Sequence, residues 1–144
     1  MNVIILGPLK AGGIKLPFYS FKIPAGFPSP AADHIEQHLS LDEKCNVRAP
    51  HVYLAQIQGD SMEGVGMFCG DLVVVDRSVN ARQGHIVIAA VNGEPICKRL
   101  KRSGENFVLT SENKAYPPRY IMEGDELSIW GVVTHSLREY DHSA

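Results

Sequence analysis

Two residues in this chain could do covalent chemistry together. Ser61 lies in the turn-like run Gly59-Asp60-Ser61-Met62, and Lys98 lies in Ile96-Cys97-Lys98-Arg99-Leu100. A serine hydroxyl is a weak nucleophile until a base takes its proton. Lysine becomes such a base when burial strips the ammonium of water and drives its proton off. The chemistry therefore turns on whether Lys98 is removed from solvent.

The local pattern argues that it is. Asn92-Gly93 separates two apolar runs and is the preferred central pair of a two-residue hairpin turn, because both positions need positive φ. If the turn is tight, Val91 pairs with Glu94, and counting outward sets Lys98 opposite Val87. Alternation then puts Ile96, Lys98 and Leu100 on one face, with Cys97, Arg99 and Lys101 on the other. The first face is apolar except for Lys98. Lowering a lysine pKa from about 10.4 to about 7 costs roughly 4–5 kcal/mol, a large part of a small domain's stability. Inward lysines also guard edge strands, and long stems snorkel to water; Lys98 taken alone fits those roles better.

The turn at Ser61 adds weight. Gly59, Gly64 and Gly66 allow a sharp reversal after an apolar run, setting the hydroxyl at a strand end facing a cleft. The backbone N–H groups of Ser61 and Met62 are the candidate oxyanion donors. Upstream, Ala25-Gly26 is a small-residue bond between Pro24 and Pro28, able to approach a nucleophile in extended form. By themselves these remain an ordinary Asp/Ser turn and an ordinary linker.

The elements that must hold these residues are mostly strands. The apolar, β-branched runs are Val52–Gln58, Leu72–Asp76, His85–Val91, Ile96–Leu100, Phe107–Thr110 and Leu127–Leu137. Before them, Ser29-Pro30 resembles an N-cap with proline at the first helical position, predicting a short helix to about Leu39 with Ala31, Ile35 and Leu39 on one face. Residues 1–29 hold Pro8, Pro17, Pro24 and Pro28 and several glycines, and read as a flexible arm that Phe18, Tyr19 and Phe21 could dock. The expected organisation is that arm followed by one mainly β domain over 30–144, with no internal repeat.

Bulk properties agree with one soluble domain. The 144 residues are 44% hydrophobic and 21% charged, with a net charge of −2, which excludes a wholly basic nucleic-acid binder. Residues 1–25 carry Lys10, Lys15 and Lys22 with no acid, so the arm is +3 and the remainder −5 (11 basic against 16 acidic). Cys45, Cys69 and Cys97 are odd in number and far apart, which fits a reducing cytoplasm and neither a disulfide framework nor a zinc ribbon. Val3-Ile4-Ile5-Leu6 is too short for a signal-peptide core, and no run approaches the roughly 20 apolar residues of a membrane span. A cytoplasmic protein with no cofactor and no metal is expected.

Other constellations carry less. His34 and His38 are at i and i+4 on the predicted helix, but Glu36 is misplaced for the metalloprotease pattern, and a solvated helix face is favoured. Gly59-Asp60-Ser61 lacks the Asp-x-x-His of a GDSL-type esterase, since Asp141-His142 has the wrong spacing. A triad through His85 or His135 is unsupported. Lys98–Arg102 is a basic cluster of ordinary solvated charge, Met62, Met67 and Phe68 are expected to pack under the turn, and Trp130 reads as core or dimer interface.

Gly59-Asp60-Ser61-Met62, Gly70-Asp71-Leu72 and Lys98-Arg99-Leu100, in that order, resemble the self-cleaving domain of the LexA and UmuD family of Ser–Lys peptidases. The 37-residue separation of Ser61 and Lys98 and the upstream small-residue–Gly bond match that family too. Gly26–Asp33 and His85–Val91 are closest to the UmuD branch, although Ala25 before the cut is more like LexA; the likeness runs from Pro24 to about Val133.

The resemblance implies a fold of several short twisted sheets, shared with signal peptidases. It implies Ser61 as nucleophile, Lys98 as general base and cleavage between Ala25 and Gly26. The partners it implies are a second copy in a homodimer, a RecA filament on single-stranded DNA as coprotease, and a UmuC-like Y-family translesion polymerase. An arm so broken by Pro and Gly has no room for a helix-turn-helix domain, so no operator binding is expected. Three alternatives stay open: a non-catalytic polymerase accessory cut by another protease, a LexA-type repressor fragment without its DNA-binding domain, and, more distantly, a leader peptidase.

Overall fold

The structure, a computed structural model, describes residues 3–8, 15–19, 35–47 and 49–141. Ten strands follow in chain order: β1 (Val3–Pro8), β2 (Lys15–Tyr19), β3 (Ile35–Ser40), β4 (Val52–Ile57), β5 (Leu72–Asp76), β6 (Ile86–Val91), β7 (Glu94–Ser103), β8 (Asn106–Thr110), β9 (Arg119–Tyr120) and β10 (Leu127–Leu137). Eight form one sheet in the order β1-β4-β5-β10-β6-β7-β8-β9, while β2 and β3 pair separately. Every pairing is antiparallel. The mainly β expectation holds, and the six predicted strands correspond to β4–β8 and β10.

Period-2 alternation splits the apolar residues of the sheet between its two faces. Tyr53, Ala55 and Ile57 of β4, Val73 and Val75 of β5, Ile88 of β6 and Cys97 of β7 belong to one core. Val87, Ala89, Val91, Ile96, Leu100, Leu109 and Val132 form a second. A smaller cluster of Val47, Val52 and Val74 covers the outer face of β4 and β5. A sheet buried on both faces must curl, and β10 is where it bends. Its register shifts between Ile129 and Gly131 against β6, and between Val133 and His135 against β5. Such bulges increase local twist.

The helix predicted to run to about Leu39 is not formed over the part of it that is described, residues 35–39. Residues 35–40 are strand β3, paired with β2, and the α-helix of this region is a single turn, α1, at Leu41–Lys44. Its N-cap is Ser40, whose hydroxyl accepts the Glu43 N–H, and not Ser29. The Ile35/Leu39 spacing was too short to decide: so brief a helix is marginal in water without an apolar surface to pack on. Pairing with β2 instead gives the backbone of β3 its partners. The arm differs as well. Its prolines suggested neither helix nor strand, yet Val3–Pro8 forms the edge of the large sheet against β4. Pro8 ends β1, where a missing N–H does least harm.

Gly131 is fixed by space. A Cβ there would stand 2.6 Å from Val75 Cγ1 and 3.1 Å from the Asp76 carbonyl oxygen. Gly131→Ala should therefore destabilise the fold by about 1–3 kcal/mol, read as a lower urea midpoint with an unchanged denaturant slope.

Candidate active site

Lys98 is where the hairpin count puts it. The Asn92-Gly93 turn pairs Val91 with Glu94 and Val87 with Lys98. On its own face lie Ile96 and Leu100, both buried, and across from it Val87 and Ala89, with no exposure at all. The Lys98 side chain is half-buried there, and desolvation holds its amine below the ordinary lysine value of 10.5. A Cys97 thiolate would oppose that shift. Burial pushes the Cys97 thiol up to about 12, however, so the neighbour is uncharged at physiological pH. The Lys98 Nζ donates to Ser111 Oγ at 2.7 Å and lies 5.4 Å from the centre of the Tyr116 ring.

Ser61 sits in the turn after β4, between Gly59 at φ 88° and a short 3₁₀ turn at Glu63–Val65 that ends on Gly66 at φ 81°. Met62 and Met67 drop from this loop into the first core and anchor it from below, as expected. Phe68 does not join them: it is exposed and lies under the Arg138 guanidinium, 4.0 Å from its ring centre. Ser61 was expected to face a cleft, but it is buried, and its hydroxyl has no hydrogen-bond partner. Such orphaned polar atoms are rare and call for an explanation. Neither the Ser61 nor the Met62 N–H donates to a backbone carbonyl among the described residues. No hydrogen bond joins Ser61 to Lys98.

The segment that follows β8 is bonded both to the Ser61 turn and to the Lys98 strand. Gly64 N–H donates to the Glu112 carbonyl at 2.7 Å, Asn113 Nδ2 donates to the Asp60 carbonyl at 2.9 Å, and the Tyr116 hydroxyl donates to the Asp60 carboxylate. The same segment carries Ser111, bonded to Lys98, and Glu112, paired with Arg99. Residues 111–116 thus tie the serine turn on one side to the lysine strand on the other. A groove of about 740 Å³ beside this segment is lined by Glu63, Gly64, Phe68, Ser111, Glu112, Asn113, Lys114 and Tyr116, while Lys98 lines a different groove with Val91, Asn92, Glu94, Ile96 and Arg119.

A second clasp holds the far end of the serine loop. Arg138, just past β10, donates to both carboxylate oxygens of buried Asp71 and to the Gly66 carbonyl. Asp71 also accepts the Phe68 N–H at 2.9 Å. Burial alone would raise the Asp71 carboxyl, but the Arg138 and Phe68 hydrogen bonds outweigh it and hold it below the usual range.

Ser111, Glu112, Asn113 and Tyr116 were missed in the sequence. The signal was there: Gly104-Glu105 turns the chain between Ser103 and Asn106, and counting outward pairs Arg99 with Thr110. One more step sets Ser111 beside Lys98. Ala25, Gly26 and His34 lie outside the described residues, while His38 is on strand β3, where helical i,i+4 spacing does not apply. His85 accepts the Arg82 N–H and His135 contacts Thr134, so neither is engaged with Ser61. Trp130 is packed partly against the first core. It lines a separate groove of about 570 Å³ with Ile5, Tyr53 and Ile129, away from Ser61 and Lys98. Among the described residues no group of three or more His, Cys, Asp or Glu could hold a metal, and no helix is long and apolar enough to cross a membrane.

One curled antiparallel sheet carries both the half-buried Lys98 and the strand that leads into the glycine-flanked Ser61 turn. Residues 17–134 match the family described as Peptidase S24-like, and the chain belongs to that family. It is 41% identical to the protein MucA of Salmonella typhimurium over 126 residues, covering 87% of this chain and 86% of that one. It is 42% identical to SamA of the same species over 128 residues, covering 87% and 89%. A LexA repressor from Bordetella avium is 34% identical over 119 residues, 83% of this chain but 55% of the repressor.

Two measurements probe this geometry. Because Lys98 binds its proton more weakly folded than unfolded, the unfolded chain holds more protons at pH values between the two pKa values, and stability must rise with pH there. Lys98→Met should remove that rise, so that its urea-derived stability advantage over the wild type shrinks as pH climbs towards 10.5. At Gly64 a Cβ would meet the Glu112 carbonyl oxygen at 2.4 Å, and Gly64→Ala should cost about 1–3 kcal/mol. It should also speed hydrogen exchange at residue 64, which shares that contact.

Proposed function

We propose that this chain is a UmuD-type, SOS-response serine protease that cleaves itself between Ala25 and Gly26. The observation that carries the proposal is the desolvated Lys98 amine on an apolar sheet face, tied through residues 111–116 to the Ser61 turn. The S24-like match and the likeness to MucA, SamA and LexA support it. Neutral Lys98 takes the Ser61 proton, and Ser61 Oγ attacks the Ala25 carbonyl carbon. The Ser61 and Met62 N–H groups, both free of backbone partners among the described residues, hold the oxyanion. The lysine proton passes to the Gly26 nitrogen, the peptide bond breaks, and water then releases the acyl group from Ser61. The orphaned Ser61 hydroxyl suits a group that meets its partner only when substrate and base close on it.

The remaining assignments follow from the same reading. The protein is a cytoplasmic homodimer, and a RecA filament on single-stranded DNA stimulates the cut. The product, residues 26–144, serves as accessory subunit of an error-prone Y-family polymerase.

Mass spectrometry of the protein incubated with RecA, ATP and single-stranded DNA should show a fragment beginning at Gly26. Ser61→Ala and Lys98→Ala should each abolish it. Spontaneous cleavage should quicken as pH rises, by up to about tenfold per unit while Lys98 is still mostly protonated. A fragment that persists in either variant overturns the dyad, and its absence from the wild type points to an accessory protein cut by another protease.

A further inference from the structure

Lys98 must present a lone pair to Ser61, yet it stands at the end of four rotatable carbons. A neutral amine has one lone pair and two N–H bonds, so whatever accepts one N–H helps decide where the lone pair points. Among the described residues the hydrogen-bond acceptor of Lys98 is Ser111 Oγ, at 2.7 Å. Ser111 is itself well placed to serve as a reference point. It follows β8 directly, and the next residues are bound to the Ser61 turn through Gly64 and Asp60. The hydroxyl is therefore fixed relative to the nucleophile and not merely to the lysine.

We infer that Ser111 is a positioning residue for the cleavage reaction, its hydroxyl holding the Lys98 amine in the orientation from which it deprotonates Ser61. This rests on the Ser61–Lys98 reading above. Ser111 ends each cycle with the proton it began with; it accepts a hydrogen bond and orients the amine, while the proton travels from Ser61 to Lys98 to the Gly26 nitrogen. The role is easily overlooked in the sequence because the residue lies one step beyond the last paired position of the β7–β8 hairpin.

The test compares two nearly isosteric replacements in the full chain, Ser111→Thr, which keeps the hydroxyl, and Ser111→Val, which removes it. Ser111→Ala serves as a smaller hydroxyl-free variant should valine disturb the fold. Each is incubated alone at alkaline pH and with RecA filaments, beside wild type and Ser61→Ala, and the fragment beginning at Gly26 is quantified by mass. Melting temperatures are recorded in parallel. Ser111→Thr should cleave at the wild-type rate, while Ser111→Val and Ser111→Ala should be slower by roughly 10–100-fold, as misplacement of a reacting group by about 1 Å would give. Their melting temperatures should match that of the wild type.

Wild-type rates in the hydroxyl-free variants overturn the inference and leave the dyad intact. Equal slowing in threonine and valine also overturns it, since bulk and not the hydroxyl would then be responsible. Cleavage that survives Ser61→Ala but not Ser111→Val overturns both readings, because the nucleophile would be Ser111 itself. A wild type that never cuts itself removes the proposed function and this role with it.

Discussion

A half-buried lysine on an apolar sheet face is the constraint around which this part of the fold is arranged. Lys98 occupies a position that alternation assigns to an apolar side chain, and its neighbours Val87, Ala89, Ile96 and Leu100 remove part of the solvent that would stabilise its charge. Only a strand interior can impose that, because a loop would let the stem swing out to water. Hence Lys98, the proposed base, is carried by a central hairpin of the sheet and not by a turn. Ser61, the proposed nucleophile, faces the opposite demand. It needs exposed backbone donors and a sharp reversal, which only a glycine-rich turn supplies. A stiff sheet and a turn must then be held together, and residues 111–116 do that with hydrogen bonds to both.

Those bonds are mostly to backbone atoms of the serine loop, which gives them a particular meaning. Asp60 and Glu112 contribute carbonyls, Gly64 contributes its N–H, and side chains enter through Asn113, Tyr116 and the Asp60 carboxylate that accepts the tyrosine hydroxyl. The loop's path is thus set on its upper side by hydrogen bonding and beneath by Met62 and Met67 in the first core. At its far end, Arg138 grips Asp71 and the Gly66 carbonyl together. A short loop restrained at three places has little freedom left, which is what a preorganised site requires.

The body of the fold was legible wherever short-range rules decide. Asn92-Gly93 dictated the hairpin, the hairpin dictated register, and register put Lys98 opposite Val87 without any knowledge of the rest. Leu72–Asp76 and Leu127–Leu137 were bounded correctly because their apolar runs are framed by charged or turn-forming residues. The errors fall where partners far away in sequence decide. Residues 35–39 carry a spacing compatible with either helix or strand, and only their pairing with β2 settles it. Val3–Pro8 became a sheet edge because β4 offered an unpaired ladder, a fact invisible from residues 1–29. At the site, Ser61 and Lys98 were visible by residue type and context. Ser111 was overlooked, because a serine just past a strand end is ordinary until the β7–β8 register is counted one step further.

Strand β1 has a consequence of its own. It closes the outer edge of β4, the strand that leads directly into the serine turn, yet it lies on the far side of the Ala25-Gly26 bond. While the chain is whole, β1 is a tethered ligand whose local concentration does not depend on how much protein is present. Severing that bond would leave residues 1–25 as a separate peptide, retained only as long as the β1–β4 and β2–β3 ladders together outlast dilution. The edge it vacates would present a row of unpaired amides and carbonyls, a template for any extended segment that reached it.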